Sequence, residues 1–173
     1  MEQKVTSTAT KGVVIGLIMI VVALAIAFSG MEMNGPLQYI IYAVYIAGLI
    51  YSIHLYGKEI DHNSTFGNYF AHGFKIAALV TIIMIAYVII FMYAFPEFKE
   101  KAMDTARKQM AANKNMTSDQ VDKAMDITRR FFTVFLIGGA LVGYLFIGAI
   151  ASLIGAGVTK KNPHPVTELD QIA

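Results

Sequence analysis

Residues 131–158 read FFTVFLIGGALVGYLFIGAIASLIGAGV, twenty-eight residues without a charge. About 20 predominantly apolar residues cross the roughly 30 Å hydrocarbon core of a bilayer. A helix of a soluble protein keeps a polar face, which this stretch lacks. It therefore reads as a transmembrane helix. Working back along the chain, 76–95 holds twenty uncharged residues, 36–56 holds twenty-one with His54 among them, and 12–29 holds eighteen. The expected fold is all-α: an integral membrane protein forming a single membrane domain over 1–173, with four transmembrane helices. The last block is longer than a perpendicular crossing needs, about 42 Å at 1.5 Å per residue, so it should tilt or stand proud of the bilayer.

Composition agrees. Of 173 residues, 56% are hydrophobic and 15% charged, and mean hydropathy is +0.56. Soluble domains carry about 25% charged residues, and disordered chains are far less apolar. A formal net charge of +2 gives little to attract a nucleic-acid backbone, so no nucleic-acid partner is expected. The chain has no cysteine, which excludes disulfides, thiolate metal sites and cysteine nucleophiles. Lys4 and Lys11 before the first block imitate the start of a signal peptide, and Ala25-Ile26-Ala27 imitates its cleavage site. The uncharged run is longer than such a leader uses, so the span is expected to be retained.

The connections differ in kind. Gly30, Asn34 and Gly35 predict a short turn after Ser29, with Pro36 opening the next helix. Residues 57–75 form a polar loop whose second part, 66–74, reads as a short interfacial helix. Residues 96–130 are too long for a turn, and both halves are amphipathic. Phe98, Ala102, Met103, Ala106 and Met110 share one arc; Val121, Ala124, Met125, Ile127, Thr128, Phe131 and Phe132 share another. Asn113-Lys114-Asn115-Met116 suits a break between them, and Thr117 with Gln120 fits a capping box. Glu97–Lys101, Asp104–Lys108, Asp119–Lys123 and Asp126–Arg130 are spaced as i,i+4 pairs. This predicts an amphipathic helical hairpin, which either extends spans three and four beyond the bilayer or lies in the headgroup layer. Residues 160–173, with Pro163 and Pro165, read as a mobile polar tail.

Three features taken together resemble a known family. They are the loop Ser64-Thr65-Phe66-Gly67-Asn68-Tyr69-Phe70-Ala71-His72-Gly73-Phe74, the exit Phe95-Pro96-Glu97-Phe98, and a glycine-rich last span closing on Thr159-Lys160-Lys161. The chain resembles, over roughly residues 5–162, a family of small bacterial integral membrane proteins known as domain of unknown function forty-one ninety-nine. The resemblance implies four spans and a bacterial inner membrane. It implies no activity, and no catalytic or ligand residue is carried over.

Candidate functional residues fall into four groups. His54, Glu59, Asp61, His62 and His72 crowd one membrane face, but they match no metal-ligand spacing and read as an ordinary polar loop. Tyr39, Tyr42, Tyr45, Tyr51 and Tyr56 with Lys75 would have to line any transport path; they read first as interfacial anchors and interhelical hydrogen bonders. Gly12-x-x-x-Gly16, Gly139-x-x-x-Gly143 and Gly148-x-x-x-Ser152 are small-residue motifs that let helices approach closely in lipid, and on this reading Gly143→Leu destabilises the fold. Phe98, Met103, Met110 and Met125 offer an adaptable apolar surface for a partner or lipid, or else pack on each other.

The favoured reading is a non-enzymatic accessory or interaction protein that contacts membrane lipid and a protein partner or its own copies, with no catalytic, metal or cofactor residues. A small transporter or pore is the alternative, and a membrane enzyme or metal-binding protein the third. For orientation, eight Lys and Arg lie in the hairpin against six on the opposite face. The hairpin also carries six acids, and the first helix, flanked by Lys4 and Lys11 before and Glu32 after, usually dominates. Both termini are expected in the cytoplasm. Single cysteines test this cleanly in a cysteine-free chain. With a membrane-impermeant thiol reagent on intact cells, Asn115→Cys should label and Ala173→Cys should not; the reverse pattern places the hairpin in the cytoplasm.

Overall fold

The computed structural model describes residues 5–29, 36–112 and 116–162. Within them lie six helices: α1 (Thr8–Phe28), α2 (Pro36–Glu59), α3 (Phe66–Ala94), α4 (Pro96–Ala111), α5 (Ser118–Arg130) and α6 (Phe132–Val158). α1, α2, α3 and α6 are long and apolar enough to cross a membrane. The chain is thus an all-α, multi-span membrane protein. The turn expected over 30–35, the break at Asn113-Lys114-Asn115, Lys4 and the tail from Pro163 lie outside the described residues.

The helices sort into two compact units, 1–84 with 143–173, and 85–142. In the first unit, close approaches at glycines set the directions of the helices. A Cβ at Gly12 or Gly16 of α1 would press on Leu79 and Ile83 of α3, so these two run parallel. Gly48 of α2 stands against Ile15 of α1. Gly73 of α3 lies against Ile53 of α2 and Ser152 of α6, Gly148 against Tyr45 and Ala77, and Gly155 against Ile50 and Ile53. From these registers α6 runs parallel to α2 and antiparallel to α3. Met19, Tyr45, Leu49, Ile53, Tyr69, Ile76, Val80 and Met84 fill the space between.

The 66–74 segment is not a separate interfacial helix. It is the first third of α3, which runs for 29 residues. The aromatic run 66–74 at the end of a polar loop suggested a separate element. Gly73 serves packing: a Cβ there would come 2.5 Å from Ile53 Cδ1 and 2.8 Å from Ser152 Oγ.

Within the second unit, α4 and α5 pack on each other through Met103, Val121 and Met125, with Ala106, Met110, Met116 and Phe132 around them. One residue separates α3 from α4 and one separates α5 from α6. Phe95 precedes Pro96 and is driven out of helical geometry by the proline ring, at φ −132° and ψ 74°. Phe131 interrupts at φ −107° and ψ 17°. Thr117 and Gln120 form the capping box, with Thr117 N–H donating to Gln120 Oε1 at 2.9 Å. The ion pair that closes in the hairpin is not one of the four expected i,i+4 pairs. It joins Arg107 to Asp122 across the two helices at 2.6 Å, and being exposed it contributes at most about 1 kcal/mol.

Gly139 and Gly143 are corrected here as contacts within the chain: among the described residues, a Cβ at either, or at Gly138, would meet nothing within 4 Å. At Gly148 a Cβ would strike the Tyr45 hydroxyl and stand 2.6 Å from Ala77 Cβ. Gly148→Leu is therefore expected to destabilise by about 3 kcal/mol, the upper range for overpacking, and Gly143→Leu to melt like the wild type. Thermal unfolding in detergent checks both; equal losses in the two variants would contradict this packing.

Candidate functional site

At one end of the first unit, the start of α1, the end of α2, the start of α3 and the end of α6 meet around a polar cluster. Lys11, the fourth residue of α1, donates from Nζ to Glu59 Oε2 at 2.7 Å. The side chains of this pair are 4% and 13% exposed. A charge near the bilayer is costly unless paired, and this pair cancels both. Lys11 Nζ also lies 5.5 Å from the centre of the Tyr56 ring, within cation–π range. Tyr56 in turn stacks on His72, with ring centres 3.8 Å apart and planes within 7°. It meets Tyr69 edge-on at 5.9 Å.

The loop between α2 and α3 closes the cluster. α2 ends with His62 N–H donating to Gly57 C=O at 2.7 Å and Asp61 N–H to Lys58 C=O at 3.2 Å. This is the paired-carbonyl helix stop that usually places glycine in the left-handed position. Here Asp61 occupies it, and His62 after it is left-handed as well, at φ 50° and 61°. Such conformations cost on the order of 1 kcal/mol each and persist only when other contacts hold them. Those contacts come from the end of α6. Asn162 N–H donates to His62 C=O at 2.8 Å. Lys160 C=O accepts from Tyr69 Oη at 3.3 Å and from His62 Nδ1 at 3.2 Å, so Nδ1 of His62 carries the hydrogen. Residues 160–162, expected as the start of a mobile tail, are thus strapped to the loop.

The five side chains weighed as metal ligands do not form a set. His54 and Asp61 are exposed, Glu59 is taken by Lys11, His62 by Lys160, and His72 by Tyr56. Among the described residues no three His, Asp or Glu side chains converge. Of the residues named for a transport path, Tyr42 and Tyr45 meet around the ring of Tyr144, at 6.1 and 5.6 Å, while Tyr39 and Tyr51 are exposed. Lys75 is exposed. Tyr45 is buried, donates to Tyr144 C=O at 3.1 Å and meets that ring edge-on at 5.6 Å. For the hairpin stripes, the structure shows the packing alternative. Met103 and Met125 are buried between α4 and α5, Met110 packs beside them, and Phe98 meets Phe91 at 4.9 Å. Met103 and Met125 thus fill their own unit, and Phe98 and Met110 are half-buried.

Sequence reading treated Lys11 only as a flank of the first span and missed its ion pair. A signal existed. In an antiparallel pair with a short turn, a cation at the start of the first helix lies level with an acid at the end of the second. The stack of Tyr56 on His72 had no comparable signal, because it joins helices through rotamers.

Fold and polar cap together define a small multi-span membrane protein. The chain belongs to the family described as "Protein of unknown function (DUF4199)", whose profile matches residues 10–161. No curated protein and no solved structure matches it.

Removing one member of a buried ion pair leaves the other uncompensated and costs about 3–5 kcal/mol. Glu59→Leu and Lys11→Met are each expected to lower stability by that order, and the double variant by less than either single one. Unfolding of the four proteins in a double-mutant cycle checks this; additive losses would mean the two charges do not depend on each other.

Proposed function

We propose that the protein is a non-enzymatic accessory protein of the bacterial inner membrane that assembles with a second copy of itself through α6. One observation carries this reading. Of the four spans α6 is the least covered, with 11% of its most apolar stretch buried against 33–39% for the others. Gly138, Gly139 and Gly143 are open on its outer half. Val142 and Phe146, on the face of Gly139 and Gly143, are exposed.

Apolar surface alone gives no drive to associate in lipid, because lipid tails are as apolar as leucine. A strip of glycines does, since it lets backbones come into van der Waals contact. Such a strip is self-complementary, as a two-fold contact between identical chains requires. The inner half of α6 is engaged at Gly148, Ser152 and Gly155 within its own chain, and the outer half is left for the second copy. The orientation with both termini cytoplasmic belongs to the same proposal and rests on the charges flanking the first helix.

The test is oxidative cross-linking of Val142→Cys in native membranes. A band at twice the chain mass is expected, and it should disappear when Gly139→Leu and Gly143→Leu are added while the melting temperature stays unchanged. A cross-link to a protein of another mass would replace self-assembly by a different partner. No cross-link, with a monomer by light scattering in nanodiscs, would overturn the proposal.

A further inference from the structure

The charges at the polar end of the first unit are sorted by direction. Its described residues hold five lysines, Lys11, Lys58, Lys75, Lys160 and Lys161, and two acids, Glu59 and Asp61. Glu59 turns inward onto Lys11, its side chain 13% exposed. Lys161 folds back on the end of α6, donating to Gly157 C=O at 3.2 Å and to Thr159 C=O at 3.1 Å. Lys58, Lys75 and Lys160 are exposed, and neither ion pair among the described residues includes any of them. Asp61 is the one carboxylate at this end that stands against these three.

Each of the three lies on the outward face of a span. On α2, Ala47, Tyr51, His54 and Lys58 follow one another at intervals of four, three and four residues, and all are exposed. On α3, Lys75 comes four residues after exposed Ala71 and seven before exposed Ile82. On α6, exposed Phe146, Ile150 and Leu153 lead at the same spacing toward Lys160, just past the end of the helix. Residues three or four apart share a helix face, so the face that each span turns toward lipid ends in a lysine. These lysines stand where the uncharged stretches 36–56, 76–95 and 131–158 stop, which is where hydrocarbon gives way to headgroups.

We propose that this end of the protein binds anionic phospholipid, with headgroup phosphates drawn to Lys58, Lys75 and Lys160. Three outward ammoniums against one carboxylate need anions from outside the chain. A lysine on a lipid-facing stripe lays its stem along apolar surface and carries its ammonium to the level of the phosphates. Tyr51, on the stripe that ends in Lys58, is a residue type that settles at that level. Near an anionic bilayer surface each lysine strengthens binding about fivefold. The hairpin offers no such excess, because its described residues carry seven lysines and arginines against six acids. The lipid surface is independent of the pairing through α6, since none of the three lysines belongs to the glycine strip.

The experiment is native mass spectrometry of the full chain in neutral detergent, with phosphatidylglycerol and phosphatidylcholine offered together at equal concentration. The wild type is expected to retain phosphatidylglycerol more than about tenfold over phosphatidylcholine. Lys75→Gln should lower that ratio about fivefold, and Lys58→Gln, Lys75→Gln and Lys160→Gln together should abolish it. Lys101→Gln, Lys108→Gln and Lys123→Gln in the hairpin remove the same charge and should leave the ratio unchanged. An unchanged melting temperature shows that the variants fold; if the triple variant does not, Lys75→Gln alone decides. Equal retention of the two lipids by the wild type, an unchanged ratio in Lys75→Gln, or an equal loss in the hairpin variant would overturn the proposal. Displacement of the lipid by inorganic phosphate at the same concentration would make this a site for a soluble anion and overturn it as well.

Discussion

Helices in a bilayer gain nothing by hiding leucine from lipid, so something other than apolar burial must hold them together. In this protein it is close approach of backbones. Gly73, Gly148 and Gly155 sit where α2, α3 and α6 cross, each against a side chain that a Cβ would displace. Gly12, Gly16 and Gly48 do the same between α1 and its neighbours. The registers of the four spans follow from these contacts, and the placement of every polar group at the membrane face follows from the registers.

That face is where the chain concentrates its polar chemistry. The ends of four helices meet there, and each brings charge or hydrogen-bonding capacity that lipid would penalise. Lys11 and Glu59 neutralise each other, and Tyr56 links that pair to His72. The left-handed turn at Asp61 and His62 is held by Lys160 and Asn162 beyond α6. The second unit solves a simpler problem. Its two amphipathic helices turn Met103, Val121 and Met125 toward each other and leave charges outside, so the hairpin has a small core of its own.

Much of this was legible in the residues. Four uncharged blocks gave four spans, the amphipathic arcs of 96–130 gave α4 and α5, and Thr117 with Gln120 gave the start of α5. The errors have physical causes. The aromatic run 66–74 behind a polar loop looked like a separate interfacial helix, but Gly73 packs closely on Ile53 and Ser152, so α3 runs on. For Met103, Met110 and Met125 a binding surface and packing on each other stayed equally open, because one stripe cannot reveal that the other stripe covers it. Gly139 and Gly143 looked like Gly12 and Gly16, since a motif does not say which helix, if any, stands opposite.

The sequence by itself determined the class of molecule, the number of its spans and the amphipathic pair between the third and fourth. These depend on hydropathy and local periodicity, which act over neighbouring residues. Only the tertiary structure decided which glycines meet a neighbour, that Lys11 pairs with Glu59, and that Tyr56 lies flat on His72. Those contacts join residues many positions apart, and they depend on how helices rotate about their own axes, which the pattern along any single helix leaves open.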